Sequence, residues 1–435
     1  MHRALCPVET MYVGQRSRAV LSSTLRGRVD IGALSAAFDG LAQAHPSLRT
    51  RIEPDGEGFA LCLLDEAERP RLITRTGGEE DAHATELNTP LPVGGPLSRA
   101  VLVSSPEGDG HVFVLSVDHT ITDGHSSIAL HNELWDRYRT LVEGGADPGA
   151  PAWAPGETPE WPEPVSRLLP DADRAETAEY LDRRIEEAGR HPVELVAYDV
   201  ADPSAVQGRI EVSRLTLDTE RTARLQHAAR RAGVSVHALI SAALLGAARR
   251  HLAGDGPRTL GCLSPVDLRS RLAPPLSALV MAPAVTTHLQ TVDVAPDADP
   301  ISLARTVHAR LSDFVSGTGP HHEMRITPEI PRHPALQLAT VIATNMGVAP
   351  GPRLPAGLEA TDVRLVPARE QYFPQAGRSP VMACIVSFEG RLAVEFPHFT
   401  ACFSTSFVQA LRDDVLKALE ALADNTPGPA ALQAG

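Results

Sequence analysis

Lysine is almost absent from this 435-residue chain. Its 40 basic residues are arginines except for Lys417. A guanidinium remains protonated in proteins, so arginine acts neither as a general base nor as a former of Schiff bases. Catalysis that needs a base or a nucleophile must therefore use other side chains.

Cysteine is also scarce, and its spacing excludes the usual metal and redox motifs. The five cysteines stand far apart and include no C-x-x-C pair: Cys6, Cys62, Cys262, Cys384 and Cys402. We expect reduced, buried thiols. His321, His322 and Glu323 adjoin one another, but they fall in a segment rich in glycine and proline that predicts a loop, without a third ligand at metal spacing. We therefore predict no metal site.

Long apolar runs are missing as well. No stretch approaches the roughly 20 uninterrupted apolar residues that would span a bilayer, and residues 1–7 lack the apolar core of a signal peptide. We therefore expect no membrane span and a cytoplasmic location. A formal net charge of −14 argues against general nucleic-acid binding, which needs a basic surface to replace the counterions of phosphates.

Length and composition indicate a folded protein with two lobes. The apolar fraction of 43% and the charged fraction of 22% lie near globular averages. A chain of 435 residues exceeds the usual size of one domain, about 100 to 200 residues. Prolines cluster between residues 147 and 170, where they disfavour helix and sheet, so this segment is the best linker. We place α/β lobes at 1–170 and 171–435.

A strand, a histidine loop and a helix follow one another in the first lobe. Residues 111–117 alternate in the manner of a strand, which ends at Asp118 and His119. Asp123 and Gly124 then open a helix. Histidine titrates near neutrality, so an imidazole here can take a proton from an attacking nucleophile, a step that typically contributes about 10² to 10⁴-fold in rate. The H-x-x-x-D pairing alone is also compatible with a hydrogen-bonded loop histidine.

The surroundings of His119 resemble one family. The run His119 to Gly124 matches the H-x-x-x-D-G part of the H-H-x-x-x-D-G signature of the condensation-domain and CoA-dependent acyltransferase superfamily. Other segments that resemble that family follow in the family's order along nearly the whole chain: Gly27 with 45–50, 96–99, 264–272 and 344–347. The resemblance implies two α/β sandwich lobes like those of chloramphenicol acetyltransferase, which form a pseudo-dimer with a central channel.

The resemblance implies an acid–base site around His119. His119 would be the general base, and the carboxylate of Asp123 would turn away from it and pair with Arg269 of the other lobe. Losing one partner of a buried pair costs about 3 to 5 kcal/mol, so this pair would act through structure. Arg269 is alternatively a surface cation.

Hydrogen-bond donors for the oxyanion of the reaction are implied at two places. The amide of Gly124 and the strand end at Thr344 and Asn345 are the candidates. Asparagine often occupies turns, however, so Asn345 is alternatively a turn residue before Gly347.

Asp118 departs from the family signature, which has a histidine at this position. The doubled histidine is more typical of peptide-forming condensation domains than of ester-forming relatives. The opening segment, residues 3–9, is most similar to the stand-alone polyketide-associated acyltransferases, including the phthiocerol dimycocerosyl transferase group. Ester formation on a hydroxyl is therefore our first hypothesis. Amide formation is the second, and a non-catalytic member that only binds acyl carriers is the third.

The substrates follow from the same resemblance. The acyl group would arrive as a thioester, on coenzyme A or on the phosphopantetheine of an acyl carrier protein. A small-molecule alcohol or amine would attack it directly, without an acyl-enzyme and without a permanently bound cofactor. Because one chain carries both lobes, we expect a monomer.

Overall fold

The strand and the helix that the sequence predicts on either side of the histidine loop are both present, at Gly110–Asp118 and Gly124–Val142. A computed structural model describes residues 2–106, 108–146, 161–202, 207–370 and 377–424. Its helices are α1 (Pro7–Gln15), α2 (Ile31–Ala44), α3 (Glu79–Leu87), α4 (Gly124–Val142), α5 (Val165–Leu168), α6 (Arg174–Arg190), α7 (Thr219–Ala232), α8 (Val236–Arg250), α9 (Pro300–Ser316), α10 (Gly319–Arg325) and α11 (Thr405–Asp424). Its strands are β1 (His2–Ala4), β2 (Ser17–Gly27), β3 (Thr50–Asp55), β4 (Gly58–Leu63), β5 (Leu72–Thr76), β6 (Ser98–Ser104), β7 (Gly110–Asp118), β8 (Val196–Ala197), β9 (Ile210–Leu217), β10 (Arg258–Asp267), β11 (Val285–Val294), β12 (Val341–Val348), β13 (Leu358–Arg369), β14 (Arg378–Ser379), β15 (Val381–Phe388) and β16 (Arg391–Phe399).

The chain divides into two compact units. The first takes residues 1–169, 269–284 and 349–372, and the second takes 170–268, 285–348 and 373–435. The first break falls at the end of the proline-rich segment, of which residues 147–160 lie outside the described residues. Two later segments of the chain return to the first unit, and both of them contribute to the site described below.

A five-stranded sheet in the order β13-β2-β7-β6-β5 forms the centre of the first unit. Its side chains alternate between the two faces. On one face, β7 residues such as Phe113 pack with α2 and α4 in a single apolar core. On the other face, Ser22 and Thr24 of β2 hydrogen-bond to His83 and Glu79 of α3, at 3.2 and 2.8 Å.

The outer strand β13 comes from late in the chain. It pairs antiparallel with β2, from Leu358 opposite Gly27 to Arg369 opposite Ser17. Gly27 has a φ of +119°, and a Cβ there would lie 2.0 Å from the carbonyl oxygen of Gly357. Only glycine permits this close approach at the end of the strand pair.

The second unit contains a six-stranded sheet in the order β11-β10-β12-β15-β16-β9. Helices α7, α8, α9 and α11 contribute to its apolar core, and α8 is buried nearly all round, as its apolar sequence predicts. Among the described residues, no single helix is long and apolar enough to cross a membrane. Helices α7 and α8 together have the length and apolar content of a membrane span, but the chain bends by 96° between them and α8 belongs to the core.

The segment with adjacent histidines is a helix, so the prediction of a loop was wrong. His321, His322 and Glu323 lie in α10. Pro320 stands in the first turn, where no amide donor is needed, so it does not break the helix. Glu323 is buried and accepts a hydrogen bond from the hydroxyl of Tyr180 at 2.7 Å. Within the described ranges, no group of three His, Cys, Asp or Glu side chains could hold a metal.

Candidate active site

His119 lies directly after β7, in a short loop that leads to α4. Its amide donates to the carbonyl oxygen of Ser17 at 2.8 Å. The ring is half-buried, and its Nδ1 lies 3.0 Å from the carbonyl oxygen of Thr122. A carbonyl only accepts, so Nδ1 carries the proton and Nε2 has the lone pair of a base. Nε2 makes no hydrogen bond with any residue in the described part of the chain.

The surroundings of His119 keep its imidazole unprotonated at neutral pH. Burial, and then the positive charge of Arg369, lower the pKa of His119 to about 4, against the smaller opposing effects of the Thr122 carbonyl and Asp123. Tyr12 of α1 stacks on the imidazole, with ring centroids 5.0 Å apart and 14° between the planes. Burial raises the pKa of Tyr12 to about 12, so its phenol stays protonated.

Asp123 is turned away from His119 and caps α4. Its Oδ1 accepts hydrogen bonds from the amide and the hydroxyl of Ser126, at 2.8 and 2.9 Å. The hydroxyl of Ser126 accepts the amide of Asp123 at 3.0 Å, and this reciprocal capping explains why α4 begins at the next residue. The Oδ2 of Asp123 accepts from Arg269 at 2.7 Å and from the amide of Ala284 at 3.0 Å.

The structure brings Arg269 onto Asp123 as a buried ion pair, with side chains 5% and 4% exposed. The guanidinium also donates to three carbonyl oxygens of the loop that follows it, at 2.7 to 3.1 Å. Arg269 begins the segment 269–284, which belongs to the same unit as Asp123. The pair therefore fastens this segment to the histidine loop inside one unit, where the resemblance implied a pair between lobes.

Asp118 belongs to a separate group of charges behind the histidine loop. Consecutive residues at a strand end project to opposite faces, so Asp118 and His119 diverge. The Oδ1 of Asp118 accepts the amide of Thr120 at 2.8 Å, and burial raises the pKa of Asp118 to about 6. Its register partner Arg18 pairs with Glu370 at 2.9 Å. An aspartate at this position thus leaves the ring of His119 in place.

The predicted oxyanion donors lie in two different units. Gly124 is the first residue of α4, where amides make no hydrogen bond within the helix. Thr344 and Asn345 lie on β12 of the second unit, next to a register irregularity. The Oδ1 of Asn345 accepts the amide of Gly347 at 2.8 Å, and Gly347 has a φ of +67°. This is the hydrogen bond expected if Asn345 is a turn residue before Gly347. The catalytic role of Asn345 stays a prediction.

Two residues beside His119 were not predicted from the sequence: Tyr12 and Arg369. Tyr12 lies on α1, whose start is fixed by a hydrogen bond from the Cys6 amide to the carboxylate of Glu9 at 2.7 Å. The similarity of residues 3–9 to relatives was the available signal for this helix. Arg369 ends β13, and no motif pointed to it.

Comparison with known proteins places the chain in a family. The condensation-domain family model matches residues 15–248, more than half of the chain. A model described as the phthiocerol/phthiodiolone dimycocerosyl transferase C-terminus matches residues 206–397. The phthiocerol/phthiodiolone dimycocerosyl transferases of Mycobacterium leprae and Mycobacterium tuberculosis are both 27% identical to this chain, over 83% of it and 85% of their own length.

Solved structures share the fold. Polyketide synthase associated protein 5 from Mycobacterium tuberculosis matches with a TM-score of 0.72, at 24% identity and with 97% of both chains covered. Trichothecene 15-O-acetyltransferase from Fusarium sporotrichioides matches with a TM-score of 0.72 at 13% identity, covering 97% of this chain and 95% of that one. The first condensation domain of the calcium-dependent antibiotic synthetase reaches 0.70 at 19% identity, covering 98% of both. The chain has the two-lobed α/β fold of these proteins, belongs to the condensation-domain family and is an acyltransferase.

Proposed function

We propose that this acyltransferase moves an acyl group from a thioester to the hydroxyl of a natural-product or lipid acceptor, with His119 as the general base. The observation that carries the proposal is the state of the ring: Nδ1 is fixed on the carbonyl of Thr122, and Nε2 is unprotonated without a protein partner in the described ranges. Coenzyme A or the phosphopantetheine of an acyl carrier protein would carry the thioester, as a co-substrate.

The proton moves from the acceptor to His119 and then to the leaving thiol. Nε2 accepts the hydroxyl proton while the oxygen attacks the thioester carbonyl carbon. The resulting oxyanion needs donors, for which the Gly124 amide at the start of α4 is the candidate on the histidine loop. The intermediate collapses as the C–S bond breaks, and the thiolate takes the proton from the imidazolium. No residue of the protein becomes acylated.

Asp123 and Arg269 act as positioning residues in this proposal. Asp123 directly follows Thr122, whose carbonyl orients the imidazole. Its carboxylate accepts four hydrogen bonds, from Ser126, Arg269 and Ala284. These bonds fix the backbone at the residue that selects the tautomer of His119.

Two features favour a hydroxyl acceptor over an amine: the activity that one structural relative is named for, and the sequence before His119. The name of the trichothecene 15-O-acetyltransferase states transfer to oxygen, and the doubled histidine typical of peptide-forming members is absent here. The contacts of Asp118 argue against the non-catalytic alternative, because its carboxylate accepts the amide of Thr120 and projects to the opposite face from the ring of His119.

Thiol release tests the proposal on the full-length protein. Acyl-CoAs of several chain lengths and acyl-N-acetylcysteamine thioesters are incubated with simple alcohols and amines, and free thiol and product mass are measured. We expect ester products, and a loss of about 10² to 10⁴-fold in rate for His119→Ala with little change in melting temperature. The exposed His191→Ala serves as the matched control and should keep the full rate.

Each other outcome has a definite meaning. A rate that survives His119→Ala removes the base assignment. Amide products that exceed ester products establish the amide-forming alternative. Binding of the thioester without any thiol release supports the non-catalytic alternative.

A further inference from the structure

Arg369 stands in one row with His119 across three neighbouring strands. Arg369 of β13 is the register partner of Ser17 of β2. The amide of His119 donates to the carbonyl oxygen of the same Ser17 at 2.8 Å, which continues the pairing of β2 with β7. Directly opposite residues project to the same face of a sheet, so the three side chains share one face. Two strand spacings, about 10 Å, separate the outer backbones of the row.

The half-buried guanidinium of Arg369 has no partner in the described part of the protein. It makes no hydrogen bond or ion pair with any described residue, and its Nε is buried without a partner. Arg18 and Arg16 in the neighbouring strand region both pair with Glu370, at 2.9 and 2.8 Å. Glu370 follows Arg369 and projects to the other face, where these two arginines use both of its carboxylate oxygens.

Two hydroxyl groups beside Arg369 also make no hydrogen bond with any residue that the structure describes. Ser17, between Arg369 and His119, is 1% exposed, and its Oγ makes no hydrogen bond to any described residue. The phenol of Tyr12, whose ring stacks on His119, has no hydrogen-bond partner in those ranges either. The positive charge of Arg369 lowers the pKa of His119 and partly offsets the rise in the pKa of Tyr12. Ser17 Oγ and Arg369 Nε are buried, and buried donors without acceptors cost free energy, so a ligand that supplies acceptors is bound favourably here.

The chemistry of these donors selects an anion. A guanidinium and two hydroxyls offer several donors and one positive charge, which a carboxylate complements through charge-assisted and bidentate bonds. The phosphate of a phosphopantetheine arm lies at the opposite end of the arm from the thioester. It therefore cannot occupy a position beside the base while the thioester reacts there, whereas a carboxylate on the acceptor or on the acyl chain can.

We propose that Arg369, together with the hydroxyls of Ser17 and Tyr12, binds a carboxylate of the substrate whose reacting group lies at His119. The inference rests on the proposed function for the role of His119. A carboxylate-binding group beside the base makes this acyltransferase specific for a hydroxy-acid acceptor or for a dicarboxylic acyl donor.

A bound carboxylate also strengthens the base. The charges that act on the ring in the free protein are those of Arg369 and Asp123, beside the neutral phenol of Tyr12. The ligand neutralises Arg369, which is one of the causes that lower the pKa of His119. The pKa of His119 therefore rises toward neutrality in the complex, where a general base is most effective.

Nitrogen NMR of the histidine rings tests binding without turnover. The resonances of His119 are assigned by their loss in His119→Gln, and the full-length protein is titrated with 3-hydroxybutyrate and with its methyl ester. We expect the acid to bind at least about 10-fold more tightly than the ester and to raise the pKa of His119. Arg369→Gln should abolish both effects, and Arg369→Lys should retain part of them. The exposed Arg71→Gln, a matched control, should change neither.

A second pair of probes identifies the substrate that carries the carboxylate. The N-acetylcysteamine thioester of succinate, compared with its methyl ester, places the same charge on the donor. Tighter binding of the charged probe, in either the acceptor pair or the donor pair, supports the proposal if Arg369→Gln abolishes the difference. Equal binding of charged and neutral probes in both pairs, or a difference that survives Arg369→Gln, overturns it. Because these are binding measurements, a transfer rate that survives His119→Ala would remove the base assignment and leave them intact.

Discussion

Replacing Asp123 by asparagine removes the negative charge on which four hydrogen bonds converge. The Oδ1 of Asp123 accepts the amide and hydroxyl of Ser126, and its Oδ2 accepts Arg269 and the amide of Ala284, at 2.7 to 3.0 Å. All four partners are donors, whereas an asparagine side chain has one accepting oxygen and one donating NH₂ group. Asparagine can therefore replace only one of the two accepting oxygens of Asp123, and the donors at the other position lose their acceptor. The charge of Arg269 also loses its counter-ion.

The burial of the pair sets the size of the effect. Removing one partner of a buried ion pair costs about 3 to 5 kcal/mol, because the other charge is left uncompensated. Arg269 keeps three carbonyl acceptors, so we expect the lower end, about 3 kcal/mol. For a unit of this size the melting temperature should fall by about 6 to 12 °C.

Thermal and urea unfolding of the full-length protein measure the effect, with Arg269→Met and the double variant beside Asp123→Asn. The double variant should be less destabilised than the sum of the single variants, because it leaves no unpaired charge. Asp136→Asn is the matched control, since Asp136 pairs with Arg353 at the surface and should contribute less than about 1 kcal/mol. If Asp123→Asn costs no more than this control, the reasoning from burial is wrong.

Two further outcomes concern histidine protonation. Because the pKa of His119 is lowered to about 4, kcat/KM for a neutral substrate should stay level as the pH falls through 6.5 and decline only near pH 4; an acid limb centred between pH 6 and 7 would contradict this. His131 is buried, accepts the indole N–H of Trp135 on Nε2 at 3.0 Å, and has a pKa lowered to about 4 by burial. The unfolded chain binds this proton below about pH 6.5, so stability is full above that pH and is lost as the pH falls toward 4, by about 2 kcal/mol at pH 5. In urea unfolding, His131→Gln should reduce the difference in stability between pH 7 and pH 5. An unchanged difference would show that His131 is not its source.

The histidine loop could be predicted from the sequence because its signals are local. Residues 112–117 of β7 form an almost continuous apolar run that is buried on both faces, Asp123 is a strong capping residue, and α4 begins directly after it. The pairing of Asp123 with Arg269 depends on a fold of the whole chain and came only from the resemblance. The sequence did not show that this pair lies inside one unit, because the order of segments along the chain does not reveal that residues 269–284 rejoin the first unit.

The environment of the histidine could not be predicted in the same way. The segment of β13 contains Pro367 and no regular alternation, and its pairing with β2 joins residues more than 300 positions apart. Arg369 therefore had no motif and no local pattern. For α10 the glycine and proline at positions 319 and 320 indicated a loop, but both lie in the first turn of the helix, where they are compatible with it.

The late position of β13 in the chain affects how the protein can be made and divided. During synthesis, the eleven-residue strand β2 has no neighbour on its outer side until residue 369 of 435 has left the ribosome. An open strand edge of this length invites association with other chains. A fragment cut at the proline-rich segment would keep His119 but lose Arg269, Arg369 and the strand that closes the edge, so we expect it to aggregate and to be inactive. Expression and dissection of this enzyme should therefore use point substitutions in the intact polypeptide.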